Sequence, residues 1–426
     1  MTARLSRRKF VQGAAAASLL GPMILRRHAS AAPASDRINI GFIGVGTQGR
    51  GHVNRLVGQA DVQVVAICDV VVERTNAAKE IVEKRYADAT KSGQYKGCAT
   101  YNDLRELLAR PDIDAVVIAT PDHWHAYGCI AAAKAKKDIY CEKPLTHTIA
   151  QGRKISEAVR RNNIVFQTGS QQRSEFGGKF RQAVEYVRNG RIGQVKTVRV
   201  GVGGPAIACD LPDETAPEGT DWNLWLGPAP MRGYNEILCP KGIHRGFPQW
   251  RKYKEYAGGA LADMGAHHFD IAQWALNMDG SAPVEIQPPA GNAESGLRFV
   301  YANGVEMYHG GPSGCTFEGA AGTIYVDRSK IESTPAKILE EPLTDQDQRV
   351  YFSDNHFRNW LDCLKSRKDP ICTAEIGARS AEICHLANIG YWLRRRLKWN
   401  PDSHQFIGDA EANQLLERPM RDPWAV

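Results

Sequence analysis

From residue 38 onward the chain alternates between short apolar runs and amphipathic stretches. The run 38–43 is apolar, a glycine turn follows, the stretch to about residue 57 has helical spacing, and 62–68 is a second apolar run that ends at Asp69. Continuous apolar runs separated by amphipathic helices predict strands buried on both faces, and hence a parallel sheet with crossover helices. The alternation continues with helices expected over 73–86, 104–109, 124–135 and 149–161, and strands over 115–119, 139–141 and 164–167.

After Thr168-Gly169 the pattern changes. A helix expected over 180–188 leads into 195–202, where apolar and polar positions alternate as in an antiparallel strand covered on one side. Residues 203–257 are rich in Gly, Pro and Trp and carry no period; a stretch that long predicts a binding segment rather than a spacer. A helix over 260–276 is followed by strands over 284–286, 296–301, 305–308 and 323–326, with Asn303-Gly304 as a hairpin signal, and by helices over 355–365 and 375–394. The expectation is an α/β domain over 36–169, an α+β domain with a mainly antiparallel open sheet over 170–400, and a polar tail over 401–426.

Composition alters this picture mainly at the start. The net charge of +7 owes six units to Arg4, Arg7, Arg8, Lys9, Arg26 and Arg27, with no acid among the first 31 residues, so the rest is close to neutral and nucleic acid is not an expected partner. Ser6-Arg7-Arg8-Lys9-Phe10, an uncharged stretch over 11–25 and Ala29-Ser30-Ala31 predict an export signal over 1–31 of the twin-arginine type, a periplasmic location and contact with the twin-arginine export machinery. The uncharged stretch is too short, and too broken by Gln12 and Gly21-Pro22, for a membrane anchor. Ten cysteines without a C-x-x-C pair predict neither a disulfide framework nor a zinc site.

The turn Gly44-Val45-Gly46-Thr47-Gln48-Gly49 lies between the first strand and the first helix. In a Rossmann domain such a turn lets a pyrophosphate approach backbone N–H groups at the helix N-terminus, with Thr47 and Gln48 beside it. Gly44 permits the turn, Gly46 clears the phosphate path, and Gly49 lets helix and strand pack closely. Asp69, at the end of the second strand, stands where an acid accepts the adenosine ribose hydroxyls, and its charge would repel a 2′-phosphate. NAD is therefore expected rather than NADP, with Arg74 as the one nearby residue that favours the phosphate.

Two further segments carry chemistry: Cys141-Glu142-Lys143-Pro144, after a parallel strand, and Gly258 to Asp270, which opens a helix and contains Asp263 and His267 at i and i+4. Strand ends face the ligand crevice, so Glu142 and Lys143 are expected there, and Asp263 and His267 project from one helical face as an acid–base pair. His123, His125 and His268 lack a complete ligand set, and no metal is expected.

The glycine turn, the acid after the second strand, E-K-P and G-G-x-x-x-D-x-G-x-H together resemble the Gfo/Idh/MocA oxidoreductases, in particular their exported branch, over roughly residues 38 to 399. The resemblance implies a Rossmann domain joined to an antiparallel α+β domain, a homo-oligomer, and a sugar, glycoside or polyol substrate. It places Thr120, Pro121 and Glu142 beside the nicotinamide and assigns catalysis to Lys143, Asp263 and His267. The implied reaction oxidises a secondary hydroxyl: His267 takes the proton, Lys143 polarises the oxygen, and Asp263 orients substrate or imidazole. The alternatives are an NAD-dependent glycosidase with no net redox change and a sugar-binding protein without catalysis. Arg173, Trp222 and His268 are candidate substrate contacts, with Trp225 and Trp250 as further aromatic faces. An exported protein has little free NAD around it, so a tightly held cofactor is expected.

Overall fold

The structure is a computed structural model describing residues 37–426; the expected export signal lies outside the described residues. Six strands form the first sheet: β1 (Ile38–Ile43), β2 (Val62–Cys68), β3 (Ala99–Tyr101), β4 (Ala115–Ile118), β5 (Asp138–Cys141) and β6 (Phe166–Thr168). Their order is β3-β2-β1-β4-β5-β6 and every pairing is parallel, the doubly wound arrangement that the apolar runs predict. The crevice beyond the strand ends opens where the order reverses, between β1 and β4. Helices α1 (Thr47–Leu56), α2 (Val72–Arg85), α3 (Asp122–Lys134) and α4 (Ile149–Asn162) cover the sheet. The Gln151 side chain fixes the start of α4 by accepting from the N–H groups of His147 at 2.9 Å and Thr148 at 3.3 Å.

The second sheet has eight strands: β7 (Val195–Gly201), β8 (Glu285–Gln287), β9 (Arg298–Val300), β10 (Glu306–Gly319), β11 (Thr323–Val326), β12 (Ile331–Thr334), β13 (Leu397–Asn400) and β14 (Gln405–Phe406). It is antiparallel, ordered β12-β11-β10-β9-β8-β13-β14, with β7 on β10. One face packs on α5 (Lys179–Arg188), α6 (Gly259–Ala275) and α8 (Ala374–Leu393), burying Val198, Met307, Phe317 and Ile324 against Phe180, Phe269 and Leu386.

The segment set apart as a polar tail is packed onto both domains. Phe406 and Ala412 join the second core, and Trp424 joins the first, edge-on to Trp124 and Tyr127 with Arg105 over its ring. Helix α7 (His356–Ser366) also returns to the first core through Phe357, Trp360 and Leu361. The unassigned stretch 203–257 has a small core of its own, in which Trp225, Leu226, Tyr234, Leu238, Trp250 and Tyr256 surround Val71 of the first domain. It lacks a period because these residues are gathered from turns and single bridges such as Val71–Thr220 and Glu214–Tyr234.

Candidate active site

The three glycines of the turn meet three different surroundings. Gly44, at φ +83°, lies so close to β4 that a Cβ would sit 2.8 Å from the Ala119 and Thr120 backbone. A Cβ on Gly49 would sit 2.1 Å from the Gly44 carbonyl, so helix α1 can approach β1 only without one. At Gly46 a Cβ would meet nothing within 4 Å and would project into open space. The glycines thus hold turn, helix and strand together while keeping one gap clear. Asp69 accepts hydrogen bonds from Val45 N–H at 2.8 Å and Val71 N–H at 3.0 Å, which ties the acid to the turn and leaves lone pairs free.

The cleft around this turn is lined by Gly44, Gly46, Thr47, Gln48, Asp69, Thr120 and Pro121 from the first domain and by Trp225, His244, Phe247 and Trp250 from the long segment. Two buried polar atoms in it have no partner, Thr120 Oγ1 and His244 Nε2. A gap at Gly46, an acid at the ribose position and unsatisfied donors and acceptors along the walls fit a dinucleotide. Arg74 is buried at the cleft wall and held by the long segment, its Nε donating to Gly242 O at 3.0 Å and its Nη2 to Pro240 O, which commits two of its three guanidinium nitrogens to protein carbonyls and away from a 2′-phosphate.

A second cavity, of about 460 Å³, continues from the first past Gln48, Thr120, Trp250 and Arg251. Its walls include Glu142, Lys143, Asp263 and His267, brought together from β5 and α6 as the strand-end argument predicts. Lys143 Nζ donates to Asp263 Oδ1 at 2.8 Å and to Asp263 O at 2.7 Å. Arg251 Nε stands 3.5 Å from the same carboxylate oxygen. Burial opposes ionisation of Asp263, but Lys143 and Arg251 outweigh it and hold its pKa below the usual value.

The structure departs from the expected acid–base pair. The Asp263 carboxylate turns to the ammonium of Lys143, and the His267 Nδ1 is buried without a partner, so the aspartate orients the lysine and not the imidazole. Nor does His267 keep an ordinary histidine pKa. Burial, reinforced by the positive charges of Lys143 and Arg328, pushes it well below the usual value, and the ring stands as free base at neutral pH.

Glu142 accepts from Gln48 at 3.2 Å and Gln171 at 3.2 Å and pairs with His52 at 2.7 Å. Against the cost of burial, His52 and Lys143 lower its pKa to about 2. Asp122, at the start of α3, also lines this cavity, and burial together with the nearby Asp263 raises its pKa to about 8. His52, Asp122, Arg251 and Arg328 went unnoticed in the sequence because they lie outside the motifs; the adjacency of Asp122 to Thr120-Pro121 was the one available signal for them.

Three expected substrate contacts fall elsewhere. Arg173 is fully buried behind the cavity, with two hydrogen bonds to Asp270, two to Asp279 and its guanidinium over Trp274. Trp222 stacks on Trp225 at 4.6 Å and donates to Arg232 O, within the small core of the long segment. His268 points away from the cavity to Gly201 O at 3.2 Å. His123 and His125 are spent on carbonyls: His123 bonds Trp225 O, and His125 bridges Thr120 O and Pro144 O, tying the ends of β4 and β5. Trp225 and Trp250 do reach the clefts.

Two family models match the chain: the oxidoreductase NAD-binding Rossmann fold of the Gfo/Idh/MocA group over residues 38–170, and the oxidoreductase C-terminal alpha/beta domain of that group over 206–426. The chain belongs to the Gfo/Idh/MocA oxidoreductases. It is similar to a myo-inositol 2-dehydrogenase of Thermotoga maritima, with 26% identity over 380 residues, 85% of this chain and 96% of that protein. An alpha-N-acetylgalactosaminidase of Shewanella oneidensis is 34% identical over 172 residues, 38% of this chain and 34% of the relative. Among solved structures, the WlbA dehydrogenase of Bordetella pertussis in complex with NADH and UDP-GlcNAcA shares the fold, with a TM-score of 0.58, 18% identity and coverage of 85% and 99%. This Gfo/Idh/MocA protein is accordingly an NAD-binding oxidoreductase with a Rossmann domain and an antiparallel α+β domain.

Proposed function

We propose that the protein oxidises a secondary hydroxyl of a sugar, glycoside or polyol bound in the 460 Å³ cavity. The observation that carries this reading is the convergence of Lys143, Asp263 and His267 on one cavity wall, continuous with the cofactor cleft. NAD, when bound, supplies the hydride acceptor. Lys143, held by Asp263, donates a hydrogen bond to the substrate oxygen. His267, a free base with Nδ1 closed off, takes the hydroxyl proton at Nε2. His267→Gln is expected to keep NAD binding and lose turnover by about 10²–10⁴-fold; full activity in that variant refutes the assignment.

We further propose that NAD is held tightly. Residues 240–248 lie across the glycine turn: Thr47 Oγ1 donates to Gly246 O at 2.8 Å, Arg50 to His244 O at 2.8 Å, and Arg74 to Gly242 O at 3.0 Å. The space left beneath them is about 100 Å³, below the roughly 300–1,000 Å³ of small-molecule pockets, so a dinucleotide enters only when this strap lifts. The twin-arginine-like segment with Arg7-Arg8 supports export of the folded, loaded protein to the periplasm. Recovery of the exported protein without nucleotide counts against this.

A trapped cofactor favours a second reading, a glycosidase that oxidises the sugar, eliminates the aglycone, adds water to the resulting double bond and reduces the ring again. Incubating the NAD-loaded protein with glycosides separates the two. Free sugar without NADH accumulation supports the glycosidase, and NADH accumulation supports the net dehydrogenase.

A further inference from the structure

Four cations reach the walls of the substrate cavity, Arg55, Lys143, Arg251 and Arg328, against three carboxylates held in salt bridges, Glu142, Glu175 and Asp263, so one positive charge is left over. Arg55 pairs with Glu175 at 2.8 Å, Lys143 with Asp263 at 2.8 Å, and Arg251 with the same Asp263 at 3.5 Å while its guanidinium stacks on Trp250. The fourth, Arg328, has no ion-pair partner among the described residues. It stands at the rim, in the turn between β11 and β12.

This arginine is nonetheless held in place. Its Nε donates to Gln172 Oε1 at 3.1 Å, and Gln172 is itself buried, with its amide donating to His267 O at 3.4 Å. The guanidinium lies over the Phe176 ring at 4.9 Å. Asp327 fixes the turn beneath it by accepting from the N–H groups of Ser329 and Lys330, each at 2.7 Å. With Nε occupied, the two Nη groups form an open fork without an acceptor among the described residues. A fixed guanidinium fork matches the two oxygens of a carboxylate, whereas a mobile surface arginine lacks this preparation.

We infer that Arg328 is a specificity-determining residue, selecting a ring substrate that carries a carboxylate, such as a uronate, over its neutral counterpart. This rests on the carbohydrate-cavity reading above and names the substrate class within it. The single free fork and the one surplus positive charge match one negative charge; a phosphate monoester, nearly doubly charged, would leave an excess. Arg328 also adds to the positive field that keeps His267 unprotonated, so neutralising it with a substrate carboxylate would raise the basicity of His267 in the loaded site.

The test uses the NAD-loaded protein and matched sets differing only at C6: glucose, glucuronate and glucose 6-phosphate, each as the free sugar and as its methyl glycoside, with the galacto and manno series alongside. Binding is read by calorimetry, and NADH formation and sugar release are followed separately. In at least one configuration the uronate should bind at least about tenfold more tightly than the neutral sugar, as one charge-assisted bidentate contact supplies. Arg328→Gln should erase that preference, weakening uronate binding at least about tenfold more than neutral-sugar binding in the folded protein, and Arg328→Lys should restore it only in part. Equal or better binding of neutral sugars, preference for the 6-phosphate, absence of binding by all three, or equal loss for neutral and acidic ligands in Arg328→Gln overturns the inference. A uronate that binds through Arg328 yet yields neither NADH nor released sugar overturns the proposed reaction and leaves the binding assignment standing.

Discussion

Replacing each glycine of the turn by alanine adds one methyl group to three different surroundings, and the structure requires three different outcomes. At Gly44 the positive φ of 83° costs an alanine about 1–2 kcal/mol, and contact with the Ala119–Thr120 backbone at 2.8 Å adds about 1–3 kcal/mol of overpacking. At Gly49 the 2.1 Å approach to the Gly44 carbonyl forces α1 away from β1, at a cost of about 1–3 kcal/mol or more. At Gly46 the backbone φ of −60° suits alanine and the methyl meets nothing, so stability should stay within about 0.5 kcal/mol. That methyl nevertheless fills the gap through which a pyrophosphate reaches the N–H groups of α1. Gly46→Ala should therefore bind NAD at least about tenfold more weakly, a loss of about 1.4 kcal/mol. Thermal melts of nucleotide-free protein measure the first quantity, with roughly 2–4 °C expected per kcal/mol in domains of this size, and NAD calorimetry measures the second. A Gly46→Ala variant that binds NAD like the parent, or melts as low as Gly49→Ala, refutes the assignment of this turn as the pyrophosphate seat.

Arg173→Ala strands the buried carboxylate of Asp270 and should cost about 3–5 kcal/mol in chemical denaturation, with no selective rise in KM at temperatures where the variant stays folded; a KM effect without destabilisation would return Arg173 to the substrate site. Lys143→Met should lower kcat/KM by about 10²–10³-fold with NAD affinity retained, as steady-state kinetics and calorimetry would show. Asp122 has a folded pKa raised to about 8, above the unfolded value, so its ionisation increasingly opposes folding as pH rises from about 4 to 8. Asp122→Asn should thus melt higher than the parent at pH 8, with the gap closing by pH 4; a constant gap across that window would show that the group does not titrate as its burial implies.

The first domain was legible because its signals are local. Apolar runs of strand length and a glycine turn at a strand end specify position as well as type, and the cofactor wall followed from them. Partners chosen through space were less legible. Spacing alone placed Asp263 on the same helical face as His267, yet Lys143, remote in sequence, takes the carboxylate. Arg173 carries a charge suited to a pocket, but Asp270 and Asp279 meet it first. The strands β12 to β14 are short and largely polar, so nothing in 331–334 or 397–406 separates them from loop until their neighbours are known.

The return of the chain to its first domain has a bearing on how the cleft can open. Helix α7 and Trp424, both distant in sequence, complete the first core, so the two domains are joined by several packed crossings rather than by one linker. A wide hinge rotation would have to break those contacts together, whereas residues 240–248, beyond the buried Leu238 and Cys239, can lift by giving up a few hydrogen bonds from Thr47, Arg50 and Arg74. Nucleotide exchange is then a local unfolding event with its own rate, set independently of the breathing of the domains. Amide exchange at residues 241–247 would report the pace at which this strap opens to let nucleotide leave.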